Sequence, residues 1–345
     1  MQTTTMKSAV AGVALIAATA LLVSTTRAQE PAATPLDDPR GAPTLRPFES
    51  LRVVPSKVEG RLAQGRPEQS RGTSGSREAK ERMIALGKQH KTAADLYAAL
   101  KKQAGGGKRL AYASLPDWTG LYTRARGGIT YDPDQQPGQP PTAKLTPEFQ
   151  ARLAKRIEEA NRGIEWDPIS TCAPPGHPRW LTEPFLKEFI VTPDQTWLIN
   201  EMVNDIRRIY TDGRDHVPAA DRYPLYNGDS IGFWDGDKLV IHTNQLTEGI
   251  YQRRNPDYTN QVETVEIWQK TSDTLIEVDV WVYDPPALVE PWYTKQSYAK
   301  LDDQDKNLRI RYWHCGENQN NAVGKTDGGG SQFRGFTFGN QGGKP

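Results

Sequence analysis

The chain is predicted to be a mainly β protein, an antiparallel up-and-down barrel preceded by a helical arm. Three observations predict this. Residues 227–243 run strand, Asp235-Gly236-Asp237 turn, strand, and an Asp-Gly pair between apolar segments is the strongest short-range hairpin signal. About eight strand-like segments follow one another at hairpin spacing with no helix between them: 185–192, 195–203, 205–211, 230–234, 238–246, 261–271, 274–283 and 308–315. Turn residues such as Thr192-Pro193-Asp194, Thr211-Asp212-Gly213 and Ser272-Asp273 separate them. Finally, nine Trp and 13 Tyr suit a pleated, aromatic-lined body better than a helical bundle. A two-sheet sandwich is the rival architecture.

The earlier segments differ in kind. Lys7, the apolar run 9–23 and the small-residue boundary at Ala28-Gln29 have the pattern of a secretory signal peptide over 1–28. Periplasmic or secreted localisation is the expectation, and no later segment reaches the roughly 20 apolar residues of a membrane span. From 29 to about 76 the chain is rich in Pro, Gly and Arg without apolar period. A helix is expected over 77–103, ended by Gly105-Gly106-Gly107. The arm and helix form 29–110, the barrel 111–325, and a Gly-rich tail 326–345. Within the barrel domain a short strand at 117–122 precedes a second helix, with Thr146 at its N-cap, Pro147 at its first position and Gly163 past its end. A net charge of +1 provides no field selecting for nucleic acid. The two cysteines, Cys172 and Cys315, are expected to pair in an oxidising compartment, a pair of buried free thiols being the alternative.

Four motifs in fixed order carry a resemblance: 207–214 (RRIYTDGR), 228–237 (GDSIGFWDGD), Asp284-Pro285 with Pro291-Trp292, and Cys315-Gly316-Glu317-Asn318. Over roughly 116–321 the chain resembles a large, mostly uncharacterised family of secreted bacterial proteins. The resemblance implies a lipocalin-like antiparallel barrel and prescribes no activity. Many members of that family carry histidines where this chain has Tyr258, Asn260 and Glu263.

Candidate chemistry rests on strand alternation. Along 274–283, Ile276, Val278, Val280 and Val282 share one face, and Glu277, Asp279, Trp281 and Tyr283 the other. Carboxylates followed by aromatic rings are what a polar-ended, aromatic-walled cavity needs, and an exposed face is the plainer alternative. Glu266 on the neighbouring strand either crowds one of those carboxylates, raising a pKa for acid–base work, or pairs with Arg253, Arg254, Arg309 or Arg311. His242 is expected to be an inward-facing base, with Arg214 and His216 at the barrel mouth and Tyr258 near the substrate. The catalytic set is thus His242, Asp279, Glu266 and His216; the binding set is Arg214, Glu277, Trp281, Tyr283 and Tyr258. The helix 77–103 is then the cover for the valine face.

No histidine pair has metal-ligand spacing, and there is no Gly-x-Ser-x-Gly elbow, phosphate-binding Gly loop or Cys-x-x-Cys. Neither a metal nor another cofactor is expected. Two functions stay open: a cofactor-independent lyase, isomerase or hydrolase acting on a small aromatic or terpenoid-like molecule, and a periplasmic carrier of a lipophilic ligand. A third reading, a partner-binding protein using the Pro-rich arm, needs no cavity.

Overall fold

The Asp-Gly-Asp turn forms where the sequence places it. Gly236 takes φ +63°, which a side chain would resist, and joins β5 (Asp229–Asp235) to β6 (Lys238–Asn244). A computed structural model describes residues 74–127, 130–135, 139–164, 167–301, 308–313, 322–325 and 331–334. The expected signal peptide, the arm to residue 73, His314 and Cys315 lie outside the described residues.

Nine strands close a barrel. Following β1 (Leu121–Arg124) around the wall, its neighbours are β11 (Trp292–Lys300), β10 (Leu275–Tyr283) and β9 (Glu263–Ser272). Then come β6, β5, β4 (Asp205–Tyr210), β3 (Gln195–Asn200) and β2 (Lys187–Val191), which returns to β1. The ladder is antiparallel except at one seam. β4 and β5 run parallel through Ile209↔Ser230 and Tyr210↔Ile231, so the wall is not the uniform up-and-down meander expected. A parallel neighbour needs a connection that travels back along the strand, and 211–228 does this over the barrel's outside. Short ladders β7 (Gly249–Ile250) with β8 (Asp257–Tyr258), and β12 (Ala322–Lys325) with β13 (Ser331–Arg334), stand apart from the wall; β13 falls in the expected Gly-rich tail.

β11 is a strand the sequence pattern did not reveal. Its inward residues are Trp292, Thr294, Gln296 and Tyr298, so the polar half of the interior hides the hydrophobic alternation. Conversely, no strand forms over 308–313. The interior is filled. Phe189 packs against Trp118, Tyr122, Trp268 and Tyr298 at ring separations of 5.0–6.1 Å, and Trp268 stacks on Tyr298 at 5.4 Å. Trp118, Trp180, Trp234 and Trp268 are all fully buried.

The expected single helix is two, α1 (Ser74–Lys88) and α2 (Ala93–Gln103). Thr92 divides them because its hydroxyl caps α2, accepting the Asp95 amide at 3.1 Å. Ala93, Leu96 and Tyr97 pack on Ile231, Phe233, Val240, Val265 and Trp281 of the outer wall. Two barrel aromatics fasten the end of α1: Trp281 Nε1 donates to the Met83 carbonyl (2.7 Å) and the Tyr283 hydroxyl to that of Gly87 (2.9 Å). Helix α3 (Pro147–Asn161) starts at Pro147 as expected, but the Thr146 hydroxyl donates to the Pro286 carbonyl instead of capping. Among the described residues no helix is long and apolar enough to cross a membrane.

Candidate functional site

Register decides which faces look inward, and it reverses the expected cavity. Ile276, Val278, Val280 and Val282 are fully buried inside the barrel. Glu277, Asp279, Trp281 and Tyr283 therefore point outward. Glu277 pairs with Lys295 at 3.2 Å, and Asp279 accepts the Tyr293 hydroxyl at 2.6 Å. Burial pushes the Asp279 carboxyl up, against that hydrogen bond. The helices cover this aromatic face, not the valine face. The alternation was legible, but a second layer on the outer wall makes both faces of β10 look apolar, so parity alone misassigned them.

Glu266 does face inward, opposite Val280, where it is fully enclosed. Its partner is Arg207, which holds both carboxylate oxygens at 3.0 and 2.6 Å; Arg253, one of the expected partners, pairs with Asp167 at 2.5 Å. Trp268 Nε1 donates to Glu266 at 2.8 Å, and His177 Nε2 lies 3.2 Å away while meeting Thr264 Oγ1 at 2.7 Å. Burial works to raise the Glu266 carboxyl, but the Arg207 charge, with hydrogen bonds from Arg207 and His177, holds it far below the ordinary range. Burial and the Arg207 charge push His177 down to about 4, so its ring is neutral at pH 7. Glu266 is thus a saturated structural anion, with no route for a substrate to reach it.

The remaining expected catalytic residues meet on the outside. His242 faces outward because its neighbour Ile241 faces in, opposite Glu266. The return loop 211–228 lays His216 beside it. His216 Nε2 and His242 Nδ1 are 2.9 Å apart, His216 Nδ1 is 2.7 Å from Asp229 Oδ2, and His242 Nε2 is 3.0 Å from Glu263 Oε2. The result is a carboxylate–imidazole–imidazole–carboxylate chain. Tyr97 of α2 stacks on His242 at 5.5 Å and shields it, leaving the His242 side chain 4% exposed against 34% for Glu263. Asp229 is fixed as an acceptor by His216 and by the Val217 amide at 3.0 Å. Burial opposes its ionisation, yet those two hydrogen bonds, with the charges of His216 and Arg222, hold its carboxyl below the usual range.

Proton counting defines what this chain can do. Its three contacts each need one proton, and two neutral imidazoles supply only two. A chain that forms all three contacts carries one further proton, shared among its four members. Moving each proton one position along transfers acidity between the shielded Asp229 and the exposed Glu263 with no side chain moving. Glu263 in turn borders an open cleft of about 290 Å³, lined also by Arg222, Tyr223, Asn244, Gln245 and Leu246.

Other expected residues lie elsewhere. Arg214 is an exposed side chain paired with Asp212 at 2.6 Å and stacked on Tyr210 at 4.1 Å, outside the chain of four. Tyr258 is buried 5.1 Å from the Tyr251 ring, and burial raises its hydroxyl well above the ordinary phenol. Asp229, Glu263, Tyr97, His177 and Arg207 were absent from the expected site. Register from the Ser272-Asp273 turn sets Glu263 opposite Tyr283, on the outer face shared with His242; Asp229 has no local signal, since only the parallel seam brings the return loop to it. Among the described residues, no group of three or more His, Cys, Asp or Glu side chains is arranged to hold a metal ion. No family model matches the chain, and no curated protein matches it.

Proposed function

We propose that the protein is an exported, cofactor-independent acid–base catalyst of the lyase, isomerase or hydrolase type. The observation that carries this is the Asp229–His216–His242–Glu263 chain ending at a carboxylate on an open cleft. Glu263 gives or takes the proton at the substrate, and His242 shares the resulting charge, spreading it toward Asp229. The alternative, a carrier of a lipophilic molecule, needs an interior cavity, whereas aromatic side chains occupy the barrel axis. The amide and guanidinium lining of the cleft also favours a more polar substrate than a terpenoid.

The test is deuterium uptake. The mature protein is incubated with a panel of small carbonyl, hydroxyl and ester compounds in heavy water, and exchange or conversion is followed by NMR. Glu263→Gln is expected to lower the rate by about 10²–10⁴, as for removal of a general base. Equal rates for Glu263→Gln and wild type would defeat the reading.

Export is supported by Lys7, the apolar run 9–23 and the Ala28 boundary. A Cys172–Cys315 bond is supported by Cys172 not being a free thiol in a chain with two cysteines. Alkylation of unfolded, unreduced protein followed by intact mass tests the bond, and two added alkyl groups would refute it. Membership of the lipocalin-like secreted family is supported by the motif order alone.

A further inference from the structure

The outer wall of the barrel is covered on one side and bare on the other. Helices α1 and α2 pack on the outer side chains of β5, β6, β9 and β10. The outer face of β2, β3 and β4 instead presents apolar side chains to solvent. Ile190 is 42% exposed and Ile206 38%, and Trp197 and Ile199 between them are half-buried. Register makes these four neighbours: Glu188, Ile199 and Ile206 form one outward row, and Ile190, Trp197 and Arg208 the next. The Arg208 guanidinium lies over the Trp197 ring, 4.8 Å from its centre. Single exposed apolar residues are ordinary on a protein surface, but a contiguous group of them marks an interaction site. Tryptophan and arginine are also the side chains most enriched at the centres of protein interfaces.

The corners of the patch point to its partner. Glu188 and Arg208 stand at opposite ends of one diagonal, and among the described residues neither makes an ion pair. On the covered side of the wall the outward charges of β10 and β11 are paired, Glu277 with Lys295 at 3.2 Å. The patch is therefore complementary to itself. Turned over about a two-fold axis in the plane of contact, near the other diagonal from Ile190 to Ile206, it sets Glu188 of one protomer against Arg208 of its partner. Symmetry makes that pair twice, with the apolar side chains enclosed between the two pairs. A closed wall has no free strand edge, so the contact is face to face, as between packed sheets. A net charge of +1 over the chain gives two copies little mutual repulsion. We propose that the protein forms a two-fold dimer through the outer face of β2–β4, with Ile190, Trp197 and Ile206 at its centre and Glu188–Arg208 pairs at its rim.

The experiment is sedimentation velocity on the mature protein from low to high micromolar concentration. A reversible monomer–dimer equilibrium is expected, the behaviour of a small interface. Trp197→Ala should weaken it about 30-fold, as for loss of a central aromatic anchor. If that variant fails to give the wild-type far-ultraviolet spectrum, Ile190→Lys takes its place, with the same expected loss. Glu188→Arg and Arg208→Glu should each weaken self-association about tenfold or more, since like charges then meet twice. An equimolar mixture of these two variants should recover dimers of wild-type strength, because each supplies the charge that the other lacks. A monomer at every concentration, a dimer indifferent to the apolar substitution, or a mixture that associates no better than its components overturns the proposal. A monomer whose Trp197 still resists oxidative footprinting would assign the face to the chain's own arm, residues 29–73, and overturn it equally.

Discussion

Two clusters in this molecule use the same side chains for opposite ends. Inside the barrel, Glu266 and His177 are fully enclosed with Arg207, and the glutamate's oxygens meet Arg207, Trp268 and His177 at 2.6–3.2 Å. On the outer wall, Asp229, His216, His242 and Glu263 form an open-ended line whose last member is a third exposed. A carboxylate beside a histidine is therefore no signature of chemistry by itself. What separates the clusters is charge balance and access: the inner one is closed and neutralised by arginine, while the outer one has an exposed end that can exchange a proton with solvent.

That contrast can be broken by mutation, most severely in the interior. Glu266→Ala strands the Arg207 guanidinium without its carboxylate, and breaking a buried pair on one side costs about 3–5 kcal/mol. Urea unfolding should register the loss; a cost below about 1 kcal/mol would show the inner cluster to be less closed than described. A second interior effect depends on pH. Lys187 is fully enclosed, donates to the Glu183 carbonyl at 2.6 Å, and is pushed by burial to about 7 from 10.5. The unfolded chain keeps that proton up to about pH 10.5, so the contribution is full above that pH and is lost as pH falls through 7. Melting temperature should accordingly rise from pH 7 toward pH 10 relative to Lys187→Met, whose replaced side chain cannot titrate.

Helices α1 and α2 lie over the outside of the wall, where Tyr97 of α2 shields His242. A Cβ on Gly87 would fall 2.5 Å from Trp281 Cδ1, so Gly87→Ala should loosen α1 from the wall at a cost of roughly 1–3 kcal/mol. Hydrogen exchange is expected to quicken in α1 and α2 and to stay slow in β9 and β10; uniform protection would mean the contact is easily relieved. The smallest stability effect belongs to the outer chain itself. His216→Ala should cost about 1 kcal/mol, the net worth of one hydrogen bond, since Asp229 keeps the Val217 amide. It should nevertheless remove the downfield, exchange-protected imidazole N–H signals of this cluster, and their persistence would argue against the relay.

The sequence carried the wall better than the site. Turn residues at Thr192-Pro193-Asp194 and Ser272-Asp273, with the Gly236 hairpin, set strand limits to within a few residues because those turns demand particular backbone angles. β11 escaped notice because Thr294 and Gln296 occupy inward positions that hydropathy assigns to solvent. Trp281 and Tyr283 misled for the converse reason, being buried beneath helices that no strand pattern announces. His216 and His242 were singled out as candidates from sequence, but their meeting was not legible. It depends on a parallel seam of two residue pairs and on a return loop whose path is set only by the closed wall.

The closure of that wall also sets an order of events. β1 completes the ring by pairing Tyr122 with Lys187 on one side and with Lys300 on the other, nearly the far end of the wall. A chain emerging from the ribosome amino end first cannot form the second pairing until residue 300 has appeared. Contacts so distant in sequence slow folding, since a long segment must be ordered before they form. Throughout synthesis β1 and the growing strand opposite it keep unpaired edges, and the chain stays threadable. A polypeptide required to pass through a narrow translocation channel before folding would gain from this delay, because the last step of closure waits for almost the whole barrel to be present.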